Sequence, residues 1–159
     1  MMKKYAIEIK WAVIFMIVSL VWMAFENLMG WHGEGIAKHA TYTNLFAIPA
    51  IIIYVLALVD KRNNFYNGKM TWLQGFMAGV VISAVVLVLS PLAQLITHKV
   101  IAPEYFPNVV EYTVQTGRLT RIKAESFFSL KSYMMQSAIG AIGMGVVTSA
   151  IVAIFMKKR

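Results

Sequence analysis

Four long apolar stretches dominate this chain, and they restrict what it can fold into more than any other feature. They cover residues 11–29, 42–59, 72–97 and 133–156, and none has a charged residue near its middle. A helix rises about 1.5 Å per residue and the hydrocarbon core of a bilayer is about 30 Å thick, so each stretch is long enough to span it. The sequence therefore predicts an all-α membrane protein with four transmembrane helices.

The composition also favours a membrane protein over a soluble one. Of 159 residues, 59% are hydrophobic and only 14% are charged, whereas about a quarter of the residues in a typical soluble domain are charged. We therefore expect residues 1–159 to form a single integral membrane domain that contacts the lipid bilayer. The chain has no cysteine, which excludes disulfides, thiolate metal sites and cysteine nucleophiles.

The positive charge is concentrated at helix ends, so it predicts orientation in the membrane rather than binding to nucleic acid. The two termini and the link between the second and third stretches carry nine cations and two acids, whereas the opposite helix ends and loops carry six cations and five acids. Basic loops stay in the cytoplasm. Both termini are therefore predicted to be cytoplasmic, with residues 30–41 and 98–132 outside and the glycine-rich first of these loops flexible.

The long outer loop has an amphipathic pattern between about residues 104 and 130. Its apolar positions recur at helical spacing and are Phe106, Val109, Val110, Thr113 and Val114. Gly117 ends this pattern, and Thr120 can cap a second helix that leads into the fourth apolar stretch. The sequence predicts an amphipathic helical hairpin that lies on the outer leaflet or covers the end of the bundle.

Small residues recur every four positions on the third and fourth apolar stretches. The predicted helix-packing residues are Gly75, Gly79, Ser83, Ser137, Ala141, Gly145 and Ser149. Four-residue spacing places them on one helix face, where two backbones can approach closely. Such a face packs within one chain, or it forms the seam of a homo-oligomer or of a complex with a membrane protein partner.

Several polar residues interrupt the apolar stretches. Gln94 and Gln136, together with the Ser90-Pro91 pair, are candidates for lining a polar cavity that binds or transports a small molecule. The alternative is that the amides form hydrogen bonds between helices, because a buried amide needs a partner. Pro49 and Pro91 lack a backbone donor, and Pro91 predicts a kink or an end in the third helix.

The three histidines lie on the predicted outer side, together with three of the five acids there. These residues are His32, His39, His98, Glu26, Glu34 and Glu104. Imidazole and carboxylate groups together can bind a divalent metal ion or transfer protons. The candidate set for a metal or catalytic site is Glu26, His32, His98 and Glu104, although no fixed histidine spacing supports it and interfacial histidines are usually solvated.

Three motifs, in this order and spacing, resemble a known family. They are the segment from Asn44 to Ile51 (Asn-Leu-Phe-Ala-Ile-Pro-Ala-Ile), Gly68-Lys69-Met70-Thr71 followed by Gly75-Phe76, and Pro103-Glu104-Tyr105-Phe106. The chain resembles small bacterial membrane proteins of the domain-of-unknown-function family 4199 over nearly its whole length. The resemblance implies a four-helix protein of the bacterial inner membrane. It implies no activity and transfers no functional residue.

Three functions are therefore compatible with the sequence. The first is a non-enzymatic protein that packs against itself or a partner through the small-residue faces. The second is a small-molecule transporter or binder with a cavity near Pro91, Gln94 and Gln136, and the third is an outer-face metal or catalytic site. No phosphate-binding loop or nucleophile motif is present, no cofactor is indicated, and no acid or arginine lies mid-membrane as ion-coupled antiporters require.

Overall fold

The structure is a computed structural model and describes residues 2–158. Its α-helices within that segment are α1 (Ala6–Leu28), α2 (Ile36–Tyr42), α3 (Ala47–Asn64), α4 (Trp72–Ile96), α5 (Tyr105–Gln115), α6 (Arg121–Phe127) and α7 (Leu130–Met156). Four helical segments are long and apolar enough to cross a membrane, namely Ala6–Leu28, Ile36–Asn64, Trp72–Ile101 and Leu130–Met156. The prediction of an all-α membrane protein with four such helices is confirmed.

The second span is longer than the sequence predicted. Its apolar stretch was assigned to residues 42–59, whereas the helical segment runs from Ile36 to Asn64 and includes α2, within the loop that was expected to be flexible. A 3-10 turn at Thr43–Phe46 joins α2 to α3. Pro49 is the third residue of α3. The first four N–H groups of an α-helix have no acceptor within that helix, so the absent N–H of Pro49 costs α3 no hydrogen bond.

Pro91 does not end α4, which continues to Ile96 and then widens into a π-helical turn at Thr97–Ile101. A proline leaves the carbonyl four residues before it without its usual partner. For Pro91 that carbonyl belongs to Leu87, and the Ser90 hydroxyl donates a hydrogen bond to it at 3.0 Å. The Ser90 hydroxyl thus replaces the missing backbone donor, which explains why α4 continues beyond Pro91 within a predicted membrane span.

The closest helix packing is between α4 and α7. Gly79 lies against Ser149, and Gly145 lies against Ser83, so that a Cβ atom on either glycine would overlap the facing serine. The Ser83 hydroxyl is also 2.8 Å from the Tyr54 hydroxyl of α3. Close backbone approach and buried hydroxyl contacts therefore hold three of the long helices together.

Both ends of the described chain lie at the same end of the bundle. The Lys61 ammonium is buried there, and it donates to Glu8 Oε1 and to the Lys4 carbonyl, each at 2.8 Å. Met70 and Lys158 form an isolated antiparallel bridge with two hydrogen bonds of 2.8 Å. These contacts tie the α3–α4 connection to both ends of the chain.

Helices α5 and α6 lie at the opposite end, in the region where the sequence predicted an amphipathic hairpin. Gly117 has a φ of 69° and begins the turn between them. The Thr120 side chain forms no capping hydrogen bond although Thr120 occupies the N-cap position of α6. Instead, Arg121 donates to Glu111 Oε2 at 2.7 Å, and this guanidinium holds the pKa of the Glu111 carboxyl below its ordinary value.

Candidate metal centre

The candidate site is assembled by a turn that reverses the chain directly after α1. Gly30 has a φ of 74°, and the Trp31 N–H donates to the Glu26 carbonyl at 3.0 Å. These features belong to a Schellman motif, in which glycine is the usual residue because its φ is positive. Trp31 then stacks on Tyr42 with ring centroids 4.4 Å apart. The turn and α2 are thereby folded back over the end of α1.

Three side chains that can bind a metal ion converge beneath this turn. Glu26 is fully buried, and its Oε2 atom lies 3.1 Å from His32 Nε2 and 3.3 Å from His39 Nδ1. One ligand atom from each residue lies within 4.8 Å of the other two. His39 Nδ1 is buried and forms no hydrogen bond with the described residues despite its closeness to Glu26. At 3.3 Å the two atoms are close enough to share a proton or a metal ion.

Two further residues hold the cluster in position. Trp22 Nε1 donates to Glu26 Oε1 at 2.6 Å, which leaves Oε2 for the histidines. Asn108 of α5 donates to the His32 carbonyl at 2.9 Å and so attaches the turn to the helical hairpin. A hydrogen bond to the second oxygen of a ligating carboxylate is a common feature of metal sites, because it fixes the orientation of the carboxylate.

An aromatic residue closes the cluster from the side of α5. The Tyr105 ring centroid is 5.2 Å from that of His32 and 5.0 Å from that of His39. Its hydroxyl is 2.8 Å from the Tyr133 hydroxyl. Burial raises the pKa of Tyr105 far above its ordinary value, so this residue is a neutral phenol that shields the cluster from water rather than an anionic ligand.

The site differs in composition from the set proposed on sequence grounds. Glu26 and His32 are brought together, whereas His98 and Glu104 contribute no ligand atom to the cluster. Glu104 is exposed and precedes α5. His39 takes part instead, because α2, where the sequence indicated a flexible loop, returns it to Glu26. Trp22 was also missed, although its position four residues before Glu26 places both on one helix face.

His98 belongs to a neighbouring layer rather than to the cluster. Its ring stacks on Phe106 with centroids 4.1 Å apart and lies 5.3 Å from the ring of Tyr105. Since an amide oxygen can only accept, His98 Nε2 donates to Gln94 Oε1 at 3.1 Å. The Tyr105 ring therefore packs against all three histidines.

Only part of the set of residues predicted to line a polar cavity does so in the structure. Gln94 lines a cavity between the four long helices, but Pro91 and Gln136 are not among the lining residues. Gln136 is exposed and donates to the Ser132 hydroxyl on its own helix. Of the predicted cavity residues, only Gln94 therefore lines the cavity.

Most of the predicted helix-packing residues contact one another inside this chain. Positions on α4 face positions on α7 in the pairs Gly75 with Ala153, Gly79 with Ser149, and Ser83 with Gly145. Ser137 and Ala141 line the cavity instead. The small-residue faces that a partner helix would need are therefore used between α4 and α7.

Comparison with known proteins identifies a family but no characterised relative. Residues 10–158 match the family described as "Protein of unknown function (DUF4199)". This match covers nearly the whole chain and confirms the resemblance that the three motifs indicated. No curated protein and no solved structure matches the chain.

Proposed function

The chain belongs to the DUF4199 family of proteins of unknown function, and from that premise we propose that it is a multi-pass membrane protein that binds one divalent transition-metal ion through Glu26, His32 and His39. The observation that carries the proposal is the convergence of three ligand atoms in a buried position. Glu26 Oε2 lies within 3.3 Å of a nitrogen atom of each histidine.

The spacing of these atoms suits a tetrahedral metal ion. Zinc binds imidazole nitrogen and carboxylate oxygen at about 2.0–2.2 Å, and ligands at that distance in a tetrahedron are about 3.3–3.5 Å apart. The distances from Glu26 to the two histidines, 3.1 Å and 3.3 Å, are close to this value. Two histidines and one glutamate also form a recognised zinc set that leaves a fourth position for water or another ligand.

The charges support a cation rather than an anion at this point. A fully buried carboxylate is costly unless a positive charge or several hydrogen bonds compensate it. A divalent ion compensates Glu26 and uses the lone pairs of both imidazoles at once. The alternative is a proton held between Glu26 and one histidine, which requires no metal, and titration with metal separates the two.

Purified protein that has been stripped with a chelator is expected to bind one equivalent of Zn²⁺, as measured by isothermal titration calorimetry in detergent. Glu26→Gln and His39→Gln should each weaken binding by about 100-fold or more, because each removes a ligand. Trp22→Phe should weaken it by about 10- to 100-fold, the usual effect of removing a group that orients a ligand.

Two residues provide matched controls, because each has the same chemistry as a ligand and lies at the same end of the bundle. His98→Gln and Glu104→Gln should retain the affinity of the natural chain for Zn²⁺. Absence of stoichiometric binding would show that the cluster holds only a proton. Loss of binding in His98→Gln or Glu104→Gln, with binding retained in His39→Gln, would replace the proposed ligand set with the one suggested by the sequence.

The proposal includes a single integral domain in the cytoplasmic membrane of a bacterium, with both termini in the cytoplasm and the metal site at the outer face. The excess of cations at the end that contains the termini supports this orientation. Because the chain has no cysteine, single cysteines can report it. In intact cells, Lys123→Cys should react with a membrane-impermeant maleimide and Asn63→Cys should react only after lysis. The opposite pattern would invert the orientation.

A further inference from the structure

A cavity of about 370 Å³ lies between α1, α3, α4 and α7. Its lining comes from all four of these helices and from the turn before α3, and it includes no lysine, arginine, histidine, aspartate or glutamate. A charged ligand in such a cavity would have no counter-charge, and burying it would be very costly. The cavity therefore suits an uncharged molecule.

The walls of the cavity suit a flat ring. Phe15 lies edge-on to Phe46 and to Tyr54, with ring centroids 5.7 Å and 6.1 Å apart, and all three rings line the cavity. Met16 and Met144 also line it. Aromatic rings favour contact with other rings, and thioether sulfur atoms make favourable contacts with ring edges. These contacts favour a ring as the occupant of the cavity.

Two polar residues that line the cavity where α4 ends, Gln94 and Thr97, can donate hydrogen bonds. Thr97 is only 3% exposed and lines the cavity, so its hydroxyl can donate to a bound molecule. Gln94 accepts from His98 through Oε1, and its amide N–H groups can donate to a molecule in the cavity. Both residues lie where α4 passes into the π-helical turn, a distortion that is frequent at functional sites.

We propose that this cavity binds a lipid-soluble quinone, with its ring between the aromatic and methionine side chains and a carbonyl oxygen accepting hydrogen bonds from Gln94 and Thr97. A quinone is uncharged and flat, and it carries its acceptor at the edge of the ring. Each of these properties corresponds to one feature of the cavity. The inference does not depend on the metal site, because none of its ligands lines the cavity.

Two glycines on α7 provide a matched pair of variants. Gly140 lines the cavity and Gly143 does not, yet a Cβ atom on either would meet no atom within 4 Å. Gly140→Leu therefore places a large side chain at the cavity wall without a backbone clash, whereas Gly143→Leu makes the same substitution on the same helix away from the cavity. Both variants gain similar helix propensity, so they should fold equally well.

The test measures binding of menadione, a methyl-substituted naphthoquinone, and of the hydrocarbon methylnaphthalene to metal-free protein in nanodiscs by equilibrium dialysis against empty nanodiscs. The natural chain and Gly143→Leu should bind menadione equally, and Gly140→Leu should bind it about tenfold more weakly or worse. Gln94→Leu and Thr97→Val should each lose about threefold to tenfold for menadione, the effect of one hydrogen bond, and nothing for methylnaphthalene.

Several results would overturn the inference. Equal binding by Gly140→Leu and Gly143→Leu would mean that the signal reports partition into lipid. Equal affinity of the natural chain for menadione and methylnaphthalene, with no effect of Gln94→Leu, would mean that the cavity binds flat apolar rings without using the quinone carbonyls. If Gly140→Leu does not fold, the Gln94→Leu and Thr97→Val comparison decides the matter. A negative result for menadione would not affect the proposed zinc site, and a negative result for zinc would not affect the proposed quinone site. The two proposals can therefore be rejected independently.

Discussion

Replacing Lys61 with methionine is expected to lower the free energy of unfolding by about 3–5 kcal/mol, the usual cost of removing one partner from a buried ion pair. Lys61 is 3% exposed and Glu8 is 2% exposed. Without the ammonium, Glu8 would be buried with no counter-charge and the Lys4 carbonyl would lose its donor. Unfolding by a denaturing detergent in mixed micelles, followed by circular dichroism, measures the change.

Lys10→Met is the matched control, because Lys10 pairs with Asp60 at the same end of the bundle but its side chain is 53% exposed. Asp60 is only 13% exposed, but it keeps hydrogen bonds from Trp11 and Asn64 when the Lys10 ammonium is removed. Because Lys10 itself is solvated, its loss should cost about 0–1 kcal/mol, well below the cost of Lys61→Met. The double variant Glu8→Leu with Lys61→Met should recover much of the lost stability, because it buries no unpaired charge. Equal effects of Lys61→Met and Lys10→Met would contradict the buried position of the first pair.

Gly145→Ala is expected to be the second most damaging of these substitutions, although it adds only one methyl group. The new Cβ would overlap the Ser83 side chain and lie 2.8 Å from the Tyr54 hydroxyl. Either α4 and α7 separate or the hydrogen bond between Tyr54 and Ser83 breaks. Overpacking of this kind costs about 1–3 kcal/mol, which the same detergent unfolding assay detects.

Gly143→Ala provides the control on the same helix, two residues away. Nothing lies within 4 Å of its Cβ position, and alanine favours helix more than glycine does by about 1 kcal/mol. This variant should be neutral or slightly stabilised. If the two alanine variants unfold at the same detergent fraction, α4 and α7 do not pack through Gly145.

The four long helices could be predicted from sequence because an apolar run of that length has one stable arrangement in a bilayer, in which every backbone group is satisfied within a helix. The behaviour of Pro91 could not, because it depends on the Ser90 hydroxyl reaching the Leu87 carbonyl. Helix α2 was missed for a similar reason. Its stability comes from the stacking of Trp31 on Tyr42, a contact that no local pattern shows.

The candidate site was predictable only in part. Glu26 and His32 could be predicted as candidates, because Glu26 is an acid within an apolar stretch and His32 follows it by six residues. His39 lies seven residues after His32 with no metal-binding motif, and only the reversal of the chain at Gly30 brings it to Glu26. His98 lies at the same end of the bundle, but its Nε2 atom donates to Gln94 and its ring packs on Phe106 and Tyr105. The final ligand set therefore depends on tertiary packing by α2 and α5.

X-ray absorption spectroscopy of the zinc-loaded protein in detergent counts and identifies the atoms that bind the metal ion. We expect two imidazole nitrogens and one carboxylate oxygen at about 2.0–2.2 Å, with one nitrogen lost in His39→Gln. A shell made only of water oxygens, or imidazole scattering that His39→Gln leaves unchanged, would contradict the proposed ligand set.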